Sequence, residues 1–127
     1  MKTASLEISK RLVEAGITLD TMFTHSRRVD LEGYSFSLCM ADDIKADIKW
    51  ETYPAPTADE LGELLPDDFL IDDEMYYLTI CKNAGSWQIT YETCSNYCLD
   101  SYSEAEADTM ADALGEMLLW LKENGHV

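Results

Sequence analysis

Residues 75–91 read Met75-Tyr76-Tyr77-Leu78-Thr79-Ile80-Cys81-Lys82, then Asn83-Ala84-Gly85, then Ser86-Trp87-Gln88-Ile89-Thr90-Tyr91. Tyr76, Leu78 and Ile80 alternate with polar or small neighbours, and so do Trp87, Ile89 and Tyr91. A period of two over six or more residues is the mark of a half-buried strand. The joining segment has hairpin length, with glycine where a positive φ falls. The stretch therefore predicts an antiparallel hairpin with one wet face and one apolar face. Tyr97-Cys98-Leu99-Asp100-Ser101-Tyr102 extends it as a third strand.

Downstream, Ser103-Glu104-Ala105-Glu106 has the spacing of a capping box. Ala107, Met110, Ala111, Leu114, Met117, Leu118 and Leu121 then fall on one helical face, and Gly125 is the stop. This predicts a helix of about five turns.

Upstream, Tyr53-Pro54-Ala55-Pro56 ends a strand, because proline cannot donate to a ladder. Thr57-Ala58-Asp59-Glu60 is a capping box for a two-turn helix with Leu61, Leu64 and Leu65 on one stripe, stopped by Pro66. Ile44-Lys45-Ala46-Asp47-Ile48-Lys49-Trp50-Glu51 alternates as a strand, as does Tyr34 to Met40. Residues 18–24 read as a further strand and His25 to Asp30 as a polar turn. Leu6, Ile8, Leu12, Val13 and Ile17 recur at helical spacing, with Thr3 or Ser5 as cap and Gly16 as stop.

The expected architecture is one α+β domain over residues 1–127. An antiparallel sheet of about five strands carries an N-terminal helix, a short middle helix and a long C-terminal helix, mainly on one face. Its core is Leu12, Phe36, Ile48, Trp50, Leu61, Leu78, Ile80, Trp87, Ile89, Met110, Leu114, Met117 and Leu118.

Composition narrows the function classes. The chain has 127 residues, 46% hydrophobic and 27% charged, the profile of a folded domain. Apolar runs are short and no secretory stretch opens the chain, so the expectation is a cytoplasmic protein without a membrane span. Twenty-five acids face nine bases, a net charge of −16. Residues 1–50 are nearly balanced, whereas residues 51–127 hold seventeen acids against Lys82 and Lys122 alone. Such a surface repels phosphate backbones, which argues against direct nucleic-acid binding.

Catalytic signatures are missing from the sequence: it has no GxSxG, Walker loop, GxGxxG or HExxH motif. Its two histidines, His25 and His126, lie far from each other and from Cys94 and Cys98 in sequence, and a pair of His25 with Cys39 or Cys94 needs the fold to bring them together, so no catalytic residue and no cofactor is expected. Cys39 and Cys81 fall in strand-like runs. Cys94 and Cys98 have the spacing of half a zinc site but no nearby histidine, so reduced, structural cysteines are the expectation and no metal is. Asp42-Asp43, Asp67-Asp68 and Asp72-Asp73-Glu74 lack the alternation and glycine of a calcium loop.

The run from Tyr53 to Pro66, the Trp87-to-Tyr91 spacing and the ending Ala111-Asp112-Ala113-Leu114-Gly115-Glu116-Met117-Leu118-Leu119-Trp120-Leu121 with Gly125 carry a resemblance. Together they resemble a family of small bacterial and phage-encoded proteins with a YPAPTxxELxxxLP motif and a terminal AxALxxMLxWLxxxG helix. The resemblance implies a bacterial or phage setting and no chemistry.

Two partner readings follow. In one, the chain is a non-catalytic accessory protein that binds another protein through its sheet or an aromatic patch drawn from Tyr76, Tyr77, Tyr91, Tyr97, Tyr102 and Trp120. In the other, an acidic stripe along the last helix imitates DNA phosphates and inhibits a host nucleic-acid enzyme. Glu104, Asp108, Asp112 and Glu116 recur at intervals of four to make that stripe, and Asp108, Asp112, Glu116 and Trp120 are the candidate partner-binding residues. Leu119 and Trp120 lie outside the narrow apolar stripe and leave monomer and homodimer both open.

Overall fold

The computed structural model describes residues 2–29, 33, 35–44, 49–71, 73–95 and 98–127, without the side chains of 94–103. It is an α+β arrangement of three helices and two antiparallel sheets. In chain order the elements are α1 (Leu6–Glu14), β1 (Phe23–Arg28), β2 (Ser37–Met40), β3 (Trp50–Pro54), α2 (Ala58–Leu64), β4 (Asp68–Ile71), β5 (Glu74–Asn83), β6 (Ser86–Ser95), β7 (Cys98–Ala107) and α3 (Met110–Glu123). A single 3₁₀ turn, Ala41–Asp43, follows β2.

The expected single sheet of five strands is replaced by two sheets, ordered β2-β1-β3 and β4-β5-β6-β7. The division falls where the prolines are. Pro54 closes β3 opposite Thr24, Ala55 donates to the Phe23 carbonyl at 2.9 Å, and α2 then begins. Its capping box forms as expected. The Glu60 N–H donates to Thr57 Oγ1 at 3.2 Å, and the Thr57 N–H donates to Glu60 Oε1 at 2.9 Å. Glu60 Oε2 also accepts the Met22 N–H at 3.0 Å, which ties the small sheet to this helix.

The hairpin at 75–91 stands as read. Asn83 pairs with Ser86 across a two-residue turn, and both Ala84 (φ 51°) and Gly85 (φ 85°) are left-handed, the geometry that matches strand twist. Leu78 sits opposite Tyr91, Ile80 opposite Ile89, and Ile89 opposite Ala105. α3 packs on the β6–β7 side of that face, and α1 and α2 pack on α3.

Several expectations are corrected. The segment from His25 to Arg28 is strand, not turn, and residues 18–22 are not strand. Ser103-Glu104-Ala105-Glu106 lies in β7 instead of capping a helix: Ala105 is buried while Glu104 and Glu106 are exposed, the period of a strand. The cap is Thr109, whose Oγ1 accepts the Asp112 N–H at 3.2 Å, so α3 has fourteen residues rather than five turns. Of the expected core, Leu12, Leu61, Ile89, Leu114, Met117 and Leu118 are buried; Phe36, Trp50, Leu78, Trp87 and Met110 are half-buried. Ile80 is 45% exposed, because it lies toward the open edge of the sheet beyond the reach of β4. Leu64 is exposed as well. Ile48, with the rest of residues 45–48 of the expected strand 44–51, lies outside the described residues.

α1 and α3 cross closely. A Cβ on Gly115 would stand 2.5 Å from Ile8 Cγ2, so only glycine permits this approach. Ser5 caps α1 by accepting the Ile8 N–H, and Gly16 ends it with φ 80°. No helix among the described residues is long and apolar enough to cross a membrane.

Candidate functional site

The four candidate partner-binding residues separate into three environments. Asp112 and Glu116 face α1, not open solvent. The Ser5 N–H donates to Asp112 Oδ1 at 2.6 Å. Arg11 Nη1 donates to Glu116 Oε1 at 2.6 Å, and that hydrogen bond raises the guanidinium above its ordinary range. Both carboxylates thus fasten the first helix to the last, which interrupts the expected acidic stripe. Asp108 is exposed in the link before α3.

Trp120 is half-buried near the C-terminal end of α3. Its indole stacks on His126 at 5.7 Å between centroids, His126 stacks on Phe69 at 4.9 Å, and Phe69 meets Tyr91 at 4.5 Å. Tyr91 is fully buried, so it is core and not surface. Its hydroxyl donates to the Pro66 carbonyl at 2.6 Å, and burial raises its phenol well above the ordinary value. Tyr77 is exposed and Tyr76 half-buried. Tyr97 lies outside the described residues, as does the side chain of Tyr102. Leu119 is buried, which removes it from any dimer contact.

Glu116 and Trp120 do share one feature, an open cavity of about 280 Å³ between α1, β7 and α3. Glu104 and Glu106 reach it from β7, Glu116, Trp120 and Glu123 from α3, and Arg11 from α1. Glu106 Oε1 accepts the Ser86 hydroxyl at 2.6 Å, and Arg11 binds Glu116. Glu104 and Glu123 are exposed acids at its mouth. The alternation of β7 lifts Glu104 and Glu106 away from the face that buries Ala105. Four carboxylates, one guanidinium and an indole make a negative lining with an aromatic wall, suited to a cationic group.

His25 Nε2 donates to the Ala4 carbonyl at 2.8 Å. Among the described residues no three His, Cys, Asp or Glu side chains gather as metal ligands. Cys39 and Cys81 are free thiols, whereas the side chains of Cys94 and Cys98 are outside the described part.

Sequence reasoning named Glu116 and Trp120 and placed Glu104 in the acidic stripe of the last helix, but it missed Arg11 and Glu123. Arg11 is 105 residues from its partner, and Glu104 was read as lying in the first turn of the last helix and not in a strand. The alternation Glu104-Ala105-Glu106-Ala107 was the available signal. Comparisons with protein-family models, characterised proteins and solved structures return no match for this chain.

Proposed function

We propose that this domain is a non-catalytic protein-interaction module that receives a basic side chain of a partner in the acidic, Trp120-walled cavity. The observation that carries the reading is one cavity lined by four carboxylates, Glu104, Glu106, Glu116 and Glu123, and the Trp120 indole, with Arg11 as its single base and bound to Glu116, in a chain of net charge −16. Long-range attraction speeds the approach of a basic partner, and the indole adds a cation–π contact of about 0.5–2 kcal/mol. A phage or prophage accessory role in the cytoplasm fits a small acidic domain of this kind, and it rests on the resemblance alone. The alternative, a DNA-mimicking inhibitor, draws less support, since Asp112 and Glu116 are engaged by α1.

The test is calorimetry with a tetra-arginine amide peptide at low and raised salt. Binding is expected at low salt, falling about tenfold as salt rises. Glu104→Gln with Glu123→Gln should weaken it, and Trp120→Leu should weaken it further while the thermal transition is retained. Binding that ignores all three changes, or no binding, would refute the proposal.

A further inference from the structure

A second surface, on the opposite side of the large sheet from β7, has a different character. β5 is ten residues long, but β4 pairs only with Glu74–Tyr77. The last bond on that side runs from the Leu78 N–H to the Asp67 carbonyl at 2.9 Å. In an antiparallel ladder the outward-pointing residues alternate, so Ile80 and Lys82 direct their N–H and C=O groups away from β6. No described strand meets them, and both residues are exposed.

Natural sheets guard free edges with charges, prolines or bulges. The other free strand, β7, does so: it carries Glu104 and Glu106, and its pairing shifts register at Tyr91/Glu92. From Thr79 to Asn83, β5 has no acid, proline or register shift, and it presents an exposed β-branched side chain at Ile80. Its one charge, Lys82, folds over the Trp87 ring, with Nζ 5.3 Å from the centroid. From Lys82 across Trp87 to the start of α3, on the side of β5 away from its free edge, lies a cavity of about 370 Å³ lined by Lys2, Lys82, Trp87, Met110 and Asp108 among others. Two ammonium groups face one carboxylate there, the reverse of the charge balance over the rest of residues 51–127.

We infer that the free edge of β5 at Ile80 and Lys82 is a strand-addition site for an extended peptide segment with an acidic side chain. The segment continues the line of β4, exchanges main-chain hydrogen bonds with Ile80 and Lys82, and lays a branched apolar side chain beside Ile80. Its carboxylate meets the ammonium of Lys82. Main-chain bonds supply affinity in this mode and the alternating side chains supply selectivity. A second copy is a poorer occupant, because edge-to-edge pairing would set two β5 lysines together and two chains of −16 in contact. This surface is separate from the Trp120 cavity, and its partner carries the opposite charge.

The experiment selects a displayed library of random seven-residue peptides on the whole protein, then follows amide hydrogen exchange with the best peptide bound. The expected winners alternate β-branched and polar residues and include Asp or Glu. The Ile80 and Lys82 amides should slow at least tenfold in exchange. Lys82→Glu, a surface change that leaves the fold intact, should weaken binding about tenfold, the size of one charge-assisted hydrogen bond. Ile80→Pro, checked for an unchanged thermal transition, should abolish it. The inference is overturned by recovery of no peptide, or by protection that maps to another element. Recovery of basic peptides only, sensitive to Glu104→Gln but not to Lys82→Glu, overturns it while supporting the acidic cavity.

Discussion

The two sheets are held by different physics. The four-stranded sheet and α3 enclose Ile89, Tyr91, Leu114, Met117, Leu118 and Leu121, all removed from water. The three-stranded sheet buries Ser26 completely but leaves Met22, Val29, Leu38 and Met40 exposed. It is knitted by charge and rings instead. Lys10 lies over both Phe36 and Tyr53 at 5.2 Å, Arg27 lies over Phe36 at 4.9 Å, and Arg27 Nη2 pairs with Glu51 at 2.6 Å. Apolar burial scales with area and is not screened by salt, while exposed ion pairs are worth little and fade with it. The large sheet should therefore set the stability of the molecule, and the small one should loosen first.

The strongest attack on that contrast is Leu114→Asp. An unpaired carboxylate in the core should abolish the cooperative thermal transition, and a transition near the parent's would show that the core is elsewhere. Gly115→Ala comes next. The added methyl meets Ile8, costing about 1–3 kcal/mol, and a second change, Ile8→Ala, should make the two effects markedly non-additive. Tyr91→Phe removes the bond to Pro66 and should cost about 1–2 kcal/mol in denaturant unfolding. Because the folded phenol is raised, the parent keeps its full stability below about pH 10 and loses it above. Tyr91→Phe should flatten that alkaline limb. The smallest effect belongs to Glu51→Gln. Arg27 lowers the Glu51 carboxyl, so its contribution is present above the ordinary carboxylate value and lost as pH falls through the folded one. Global stability should hardly move, while amide exchange speeds up in β1 and β3 but not in β5 and β6.

The same contrast explains what the sequence disclosed. Where a strand turns one face to an apolar core, as in Trp87-Gln88-Ile89-Thr90-Tyr91, the alternation of side-chain type is visible. In β1 the face toward α1 is Phe23, His25 and Arg27, and the opposite one carries Thr24 and Ser26. Both faces read as polar, so hydropathy has no period to show and the segment passes for a turn. At Ser103–Glu106 a local capping spacing and a strand alternation coexist in the same four letters. Pairing with β6 decides between them, and that is a tertiary fact. The cavity was half legible for a related reason: Glu116 and Trp120 belong to one helix face, whereas Glu104 comes from the preceding strand and Arg11 from a helix 105 residues away in the chain.

The clasp between α1 and α3 has a consequence in time. Its contacts, Arg11 with Glu116 and Ser5 with Asp112, join residues 105 and 107 positions apart. On a ribosome adding about 5–20 residues per second, the leading helix waits roughly 5–20 s for its counterpart to be made. During that wait Ile8 and Leu12 have no α3 to cover them, and Arg11 has no carboxylate from it. Completion of the last helix is thus the event that locks the first.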